Sequence, residues 1–334
     1  LCEEDKMKKS LLVLAVLTAA TGVAQAASSV TLYGKAQVAY QNVSGDVSDA
    51  DKGFKQTSAG ESRVGIKVNE DLGNGMAAFA HLEAKFSADT GASDGDSFFG
   101  EKSVVGLSFA NGQHALYFGR SASPMDRFGY SDDHLSSGLG WKSSAGNWTN
   151  GAYYDYKGSN GFMVFAGATT KGGYAGNASE GFDDNKMSYG LTAAYRVNPN
   201  WVFGVGYQAD NDAAKVKNEI GVGTKFTFSP VTVALSYARA KLGAAHANAA
   251  NGKETRIHST ISAMVTPADK VYVNYLNDKI SDYSKEQRFG LGYIHSLSKR
   301  TEVFANAGYR KTTYTSGAAA TKSKLWDVGM RHSF

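Results

Sequence analysis

Apolar and polar residues alternate along most of the chain after residue 26. In the segment 231–237, the odd positions are Val, Val, Leu and Tyr, whereas the even positions are Thr, Ala and Ser. The segments 219–228 and 270–275 repeat this pattern. A period of two places each kind of residue on its own face of a strand, and no later segment has a convincing helical period. The pattern therefore predicts strands with one apolar face and one polar or small face.

Division at the turn signals gives about sixteen strands. They are predicted at 30–41, 61–70, 76–87, 100–109, 113–120, 149–157, 161–169, 185–196, 200–209, 216–228, 230–242, 254–265, 269–279, 285–296, 300–311 and 324–334. The facing of 149–157 and 161–169 is ambiguous. Tight turns such as 71–75 and 297–299 alternate with longer connections such as 42–60 and 121–148. This alternation predicts an all-β fold, a transmembrane antiparallel up-and-down β-barrel with both termini on the short-turn side.

Both ends of the chain support this interpretation. Lys8 and Lys9 precede an apolar run from residue 11 to residue 20 and an Ala-Gln-Ala site that ends at Ala26. This is the pattern of a cleaved signal peptide, so we expect 1–26 to be upstream residues plus signal peptide and 27–334 to be the barrel domain. Because lipid offers no hydrogen-bond partners, the last strand should pair with the first. Phe334 ends that strand, as is typical of outer-membrane proteins.

Composition and motifs narrow the function. Cys2 is the only cysteine of the 334 residues, so a disulfide scaffold is excluded for the exported part. The formal net charge of +4 is spread over interspersed signs, which does not indicate nucleic-acid binding. The seven histidines lack metal-ligand spacing, and the sequence has no nucleophile elbow or phosphate-binding loop. We therefore expect no catalytic residue, no metal and no cofactor.

Several short motifs carry a family resemblance. They are 28–34, 62–67, 70–75, 105–107, 119–120, 297–301 and 329–334. With them the chain resembles the general porins of β-proteobacteria and neisseriae, from the signal peptide to the last residue, most specifically at both ends. The resemblance implies a sixteen-stranded barrel, a homotrimer, and a third long loop, 121–148, that folds into the lumen as a constriction. It also implies passage of small hydrophilic solutes and ions, with outer-membrane lipid and the outer-membrane assembly machinery, which reads Phe334, as partners.

Alternation also assigns the side chains that face the lumen. The basic ones on the first strands, with Arg120 added from the family pattern, are Lys35, Arg63, Lys67, Lys102 and Arg120. A Lys or Arg on the lipid face would cost about 2–4 kcal/mol near the midplane, which supports placing these residues on the luminal face. The 121–148 loop contributes Asp126, Arg127, Asp132 and Asp133. A basic strip facing these acids would create a transverse field and a mild anion preference, which the luminal Glu83 weakens.

Alternatives remain open from the sequence. The basic side chains could simply solvate a wide lumen without controlling passage. The barrel could also be a substrate-selective channel for organic anions or phosphate, or a non-channel outer-membrane protein such as an adhesin or an enzyme. Arginine or aromatic tracks along 150–310 would favour the selective channel, and the sequence alone does not resolve one.

Overall fold

The computed structural model describes residues 28–46, 51–55, 62–93, 97–128, 146–170, 187–209, 216–243 and 252–334. These residues form seventeen strand segments in one antiparallel sheet. In chain order they are β1 (Ser29–Gly45), β2 (Asp51–Lys55), β3 (Ser62–Gly73), β4 (Met76–Phe86), β5 (Lys102–Phe109), β6 (His114–Ala122), β7 (Asn147–Lys157), β8 (Phe162–Thr169), β9 (Tyr189–Asn198), β10 (Trp201–Ala209), β11 (Val216–Phe228), β12 (Val231–Leu242), β13 (Lys253–Met264), β14 (Asp269–Ile280), β15 (Ser284–Ser296), β16 (Thr301–Tyr314) and β17 (Thr321–Ser333). A short 3₁₀ turn covers Asp126–Phe128.

The sheet closes on itself through its first and last strands. β1 pairs with β17 from Lys35 opposite Ser333 to Gly45 opposite Ser323. Beyond that ladder, Gly34 and Phe334 exchange two backbone hydrogen bonds of 3.0 Å. Closure leaves no open sheet edge, which a membrane interior requires. The predicted pairing of the last strand with the first is confirmed.

Sixteen strands make up this barrel although seventeen segments are formed. β2 and β3 pair with successive parts of the same edge of β1, through Ala39 opposite Lys55 and Lys35 opposite Arg63. Together they count as one interrupted strand, and the predicted number of strands is confirmed. The segment β2 lies within 42–60, which we predicted to be a loop. Its exposed Phe54 packs against the ring of Tyr40 at 5.3 Å between centroids, a cross-strand contact that five residues of sequence do not reveal.

The two faces of the sheet differ as the alternation predicts. On β5, Val105 and Leu107 are exposed on the outside, whereas Val104 is buried on the inside. The outside carries most of the exposed apolar side chains, and the inside carries nearly all the buried polar ones. β7, whose facing was ambiguous, directs Tyr153 and Asp155 inward. Among the described residues, no helix is long and apolar enough to cross a membrane.

Candidate pore constriction

The third long loop enters the barrel immediately after β6. Thr192 Oγ1 on β9 donates a hydrogen bond to the carbonyl oxygen of Pro124 at 2.8 Å. Met125 has no exposed surface and lies against Gly206 and Gly221 of the far wall. The start of the 121–148 loop therefore crosses the lumen, as the family resemblance implies. The rest of this loop, with Asp132 and Asp133, lies outside the described residues.

Glycines on four successive strands make room for this segment. Gly167, Gly190, Gly206 and Gly221 lie on the luminal face of β8, β9, β10 and β11. A Cβ on Gly190 would lie 3.2 Å from Pro124 Cγ, one on Gly221 would lie 2.8 Å from Met125 Cε, and one on Gly206 would overlap Met125 Sδ. Protein interiors hold no spare volume for such atoms. Sequence reasoning missed this groove, although luminal glycines on four neighbouring strands are visible once the strands are aligned.

Arg127 fixes the loop to the near wall. Its Nη1 and Nη2 donate to Oδ1 and Oδ2 of Asp155 on β7, each at 2.5 Å, and Nη1 also donates to the Tyr117 hydroxyl. The guanidinium carbon lies 4.5 Å from the centroid of the Phe165 ring. Burial alone would lower the pKa of Arg127, but the hydrogen bonds to Asp155 raise it, so the guanidinium stays charged. A bidentate pair of this kind fixes position as well as charge.

Asp126 is the other described acidic or basic residue that we predicted in the loop. Its backbone N–H donates to Ser123 Oγ at 3.2 Å, which starts the 3₁₀ turn. The prediction placed the loop acids opposite the basic strip and gave Arg127 no partner of its own. In the structure, Arg127 binds a carboxylate of β7, an interaction that links positions 28 residues apart and that alternation cannot predict.

Four of the five predicted basic residues lie on neighbouring strands. Lys35 is opposite Arg63, and Arg63 is opposite Lys85. Lys67 is on the same face of β3, opposite His81, and Lys102 is opposite Glu83. We call the luminal surface formed by Lys35, Arg63, Lys67, Lys85 and Lys102 the basic wall. It extends over β1, β3, β4 and β5.

Carboxylates compensate part of the basic wall. Glu83, which is 6% exposed, accepts hydrogen bonds from Arg63 Nη1 at 3.0 Å and from the Tyr33 hydroxyl at 2.5 Å. Lys85 Nζ lies 2.7 Å from Glu101 Oε2. Lys67 instead has its ammonium 4.5 Å from the Tyr33 ring centroid. Within the described residues, neither Lys67 nor Lys102 forms an ion pair with a carboxylate.

Arg120 differs from the other four predicted strip residues. It lies where β6 changes register against β7, between Gly119 and Ser121. Its Nε donates to the carbonyl oxygen of Gly100, just before β5. The bulge interrupts the alternation of inward and outward residues, so the position of Arg120 along β6 does not by itself fix which way its side chain faces. In the structure, Arg120 ties the end of β6 to the preceding loop.

A second charged surface occupies the opposite side of the barrel. Arg256 on β13 donates to Glu254 at 2.9 and 2.6 Å, and it lies 3.5 Å from Glu219 and 3.6 Å from Asp278. Three carboxylates thus surround one guanidinium, and we call these four residues the acidic cluster. In a closed barrel of sixteen strands, β11–β13 lie across the lumen from β3–β5. Sequence reasoning missed this cluster because its members come from three strands.

The closed sheet, the loop that folds into the barrel and the charged lumen are together the features of one class of protein, the outer-membrane diffusion pore. The model of the Gram-negative porin family matches residues 13–315, and the chain belongs to that family. Outer membrane porin protein 32 of Delftia acidovorans is 32% identical over 361 aligned residues, which cover 98% of this chain and 100% of the relative. The protein is therefore an outer-membrane porin, a passive channel, as the resemblance predicted.

Solved structures have the same fold. The anion-selective porin from Comamonas acidovorans superposes with a TM-score of 0.72 at 21% identity and covers 92% of this chain and 100% of its own. The trimer form of OmpT from Vibrio cholerae superposes with a TM-score of 0.69 at 18% identity and also covers 92% of this chain and 100% of its own.

Proposed function

We propose that this porin is a mildly anion-selective diffusion channel whose selectivity is set by the balance between the basic wall and the acidic cluster. The observation that carries the proposal is the position of Lys67 and Lys102, which lie on the luminal face without a carboxylate partner among the described residues. Charges near a narrow part of a pore act on a passing ion in a medium of reduced dielectric. The porin from Comamonas acidovorans, which has the same fold, is anion-selective, and this supports the proposal.

The test is the reversal potential of single channels in a planar bilayer under a potassium chloride gradient. The wild-type channel should show ohmic steps and a reversal potential on the anion-selective side. Replacing both Lys67→Gln and Lys102→Gln should move the reversal potential toward that of a cation-selective pore. The matched control, Lys279→Gln with Lys285→Gln, removes equal charge from the outer face of β14 and β15 and should leave it unchanged. An unchanged potential in the luminal variant would sink the proposal.

One observation favours a substrate-selective channel as the second candidate. Arg256, Arg288 and Arg310 lie on the luminal faces of β13, β15 and β16, and Arg288 is directly opposite Arg310. Arg256 forms an ion pair with Glu254, and Arg288 forms one with Glu286. Two of the three arginines are therefore already paired with carboxylates of the barrel. Millimolar citrate added to one side distinguishes the two. A general pore keeps its conductance, whereas a selective channel for organic anions is blocked.

We also infer that the porin assembles as a homotrimer, because the related OmpT fold has a trimer form. Protein contacts avoid lysine, and the outward positions of β7–β10 hold no Lys or Arg among the described residues. This apolar sector is suited to such a contact. Light scattering of the folded protein in detergent should give three times the protomer mass, and a protomer mass would contradict the inference.

A further inference from the structure

Six consecutive strands each place at least one cation on the outside of the barrel near the long-loop end. One residue from each strand forms what we call the cationic belt: Arg239, Lys253, Lys279, Lys285, Lys311 and Lys322. Lys241 of β12 and Lys324 of β17 lie beside the belt on the same outward face. They share the outward face of the sheet with exposed apolar residues such as Tyr237, Phe289 and Trp326. All except Lys311 are exposed, and Lys311 is half-buried.

The belt lies just beyond a ring of aromatic side chains. Tyr237, Tyr275, Phe289, Tyr309 and Trp326 are on the same outward face, and each is two or four residues from a belt residue on its strand. Outward aromatics of this kind mark the interface between the hydrocarbon layer and the polar headgroups. At about 3.3 Å per residue, the belt is therefore at the height of the headgroups of the outer leaflet.

Like charges face one another within the belt. Lys279 is directly opposite Lys285, and Lys311 is directly opposite Lys322. Like charges in directly opposed positions destabilise a sheet unless another charge offsets them. On β12–β17 the outward positions of the described residues contain one carboxylate, Asp269, and it lies at the short-turn end.

The nearby turn acids do not neutralise the belt. Asp282, in the turn between Lys279 and Lys285, forms no ion pair with either lysine among the described contacts. Asp46 accepts a hydrogen bond from the backbone N–H of Lys322 at 3.3 Å, and no described ion pair involves the ammonium of that lysine. Among the described residues, therefore, no carboxylate offsets the belt charges.

We propose that the cationic belt binds the phosphate groups of the glycolipid that forms the outer leaflet. Lys and Arg bind phosphate through charge-assisted hydrogen bonds, and a row of them beside a membrane attracts anionic headgroups. The same row is a poor choice for a buried protein contact, because interface cores are depleted in lysine. The proposal concerns the outside of the barrel and does not depend on the luminal selectivity proposed above.

The test uses the full-length folded porin in detergent and purified bisphosphorylated lipid A, with binding counted by native mass spectrometry. The belt variant replaces Lys279, Lys285, Lys311 and Lys322 with Gln. The control variant replaces Lys157, Arg196, Lys299 and Arg300, four exposed cations at the short-turn end, with Gln. The belt variant should bind about tenfold or more weakly, whereas the control should bind like the wild type. Equal binding by the belt variant and the wild type would overturn the proposal.

Two further arms identify the ligand and do not need a folded variant. Lipid A from which both phosphates have been removed should bind the wild type about tenfold more weakly, and equal binding by the two lipids would overturn the proposal. Inorganic phosphate at the same phosphate concentration should not displace the lipid. Full displacement would show a site for free anions instead of a lipid site. Unchanged conductance of the belt variant in a bilayer would show that its pore is intact.

Discussion

The basic wall and the acidic cluster are both charged luminal surfaces, but they differ in how completely their charged side chains form ion pairs. In the acidic cluster, one guanidinium is shared by three carboxylates, and Glu219 has no exposed surface. In the basic wall, Glu83 and Glu101 engage Arg63 and Lys85, while Lys67 and Lys102 lack described ion pairs. Removing a charge should therefore cost stability mainly in the cluster, whereas neutralising a charge on either surface should shift the ion selectivity.

The largest effect is expected from breaking the cluster at its centre. Arg256→Gln leaves three neighbouring carboxylates without their shared cation, and the Arg256 side chain is only 11% exposed. Removing one member of such a buried pair typically costs about 3–5 kcal/mol. Urea unfolding in detergent, followed by tryptophan fluorescence, measures the change. Lys67→Gln, as the control, should change the unfolding free energy by less than about 1 kcal/mol. Equal losses in both variants would remove the distinction between the two surfaces.

The next largest effect is expected from breaking the ion pair between Arg127 and Asp155, which holds the start of the loop to β7. Asp155→Asn removes the carboxylate that holds both terminal nitrogens of Arg127, so the start of the loop loses its attachment to β7. We expect a loss of about 2–4 kcal/mol in unfolding free energy and larger, noisier conductance steps. Single-channel recordings check the second expectation. The double variant Asp155→Asn with Arg127→Gln should recover part of the stability because no buried guanidinium is then left without its carboxylate. Quiet conductance steps of wild-type size in Asp155→Asn would contradict the role of this ion pair in holding the loop.

A smaller effect is expected from filling the glycine groove. Gly206→Ala places a methyl group against Met125 Sδ, and overpacking of this kind costs about 1–3 kcal/mol. Heat unfolding, followed by the shift in gel mobility, measures it. Because Met125→Ala itself leaves a cavity, the control is a double-mutant cycle: Gly206→Ala should cost less in the Met125→Ala background than in the wild type if the clash is the cause. An equal cost in both backgrounds would place the strain elsewhere.

Sequence reasoning predicted the fold because a strand in a membrane barrel shows its facing in every second residue. It did not predict two departures from regular alternation, the register shift beside Arg120 and the short segment β2. It also missed contacts between distant strands. The positions of Glu254 and Asp278 relative to Arg256 depend on strand register, which alternation alone does not fix to the residue.

The most direct test compares the sign of selectivity changes at the two surfaces. Reversal potentials are measured in the same salt gradient for Lys102→Gln in the basic wall and for Glu219→Gln in the acidic cluster. Glu219→Gln leaves the pair of hydrogen bonds between Arg256 and Glu254 in place. If the two surfaces set selectivity by their balance, Lys102→Gln shifts the potential toward cations and Glu219→Gln shifts it toward anions. Shifts in the same direction, or no shift in either variant, would contradict the account.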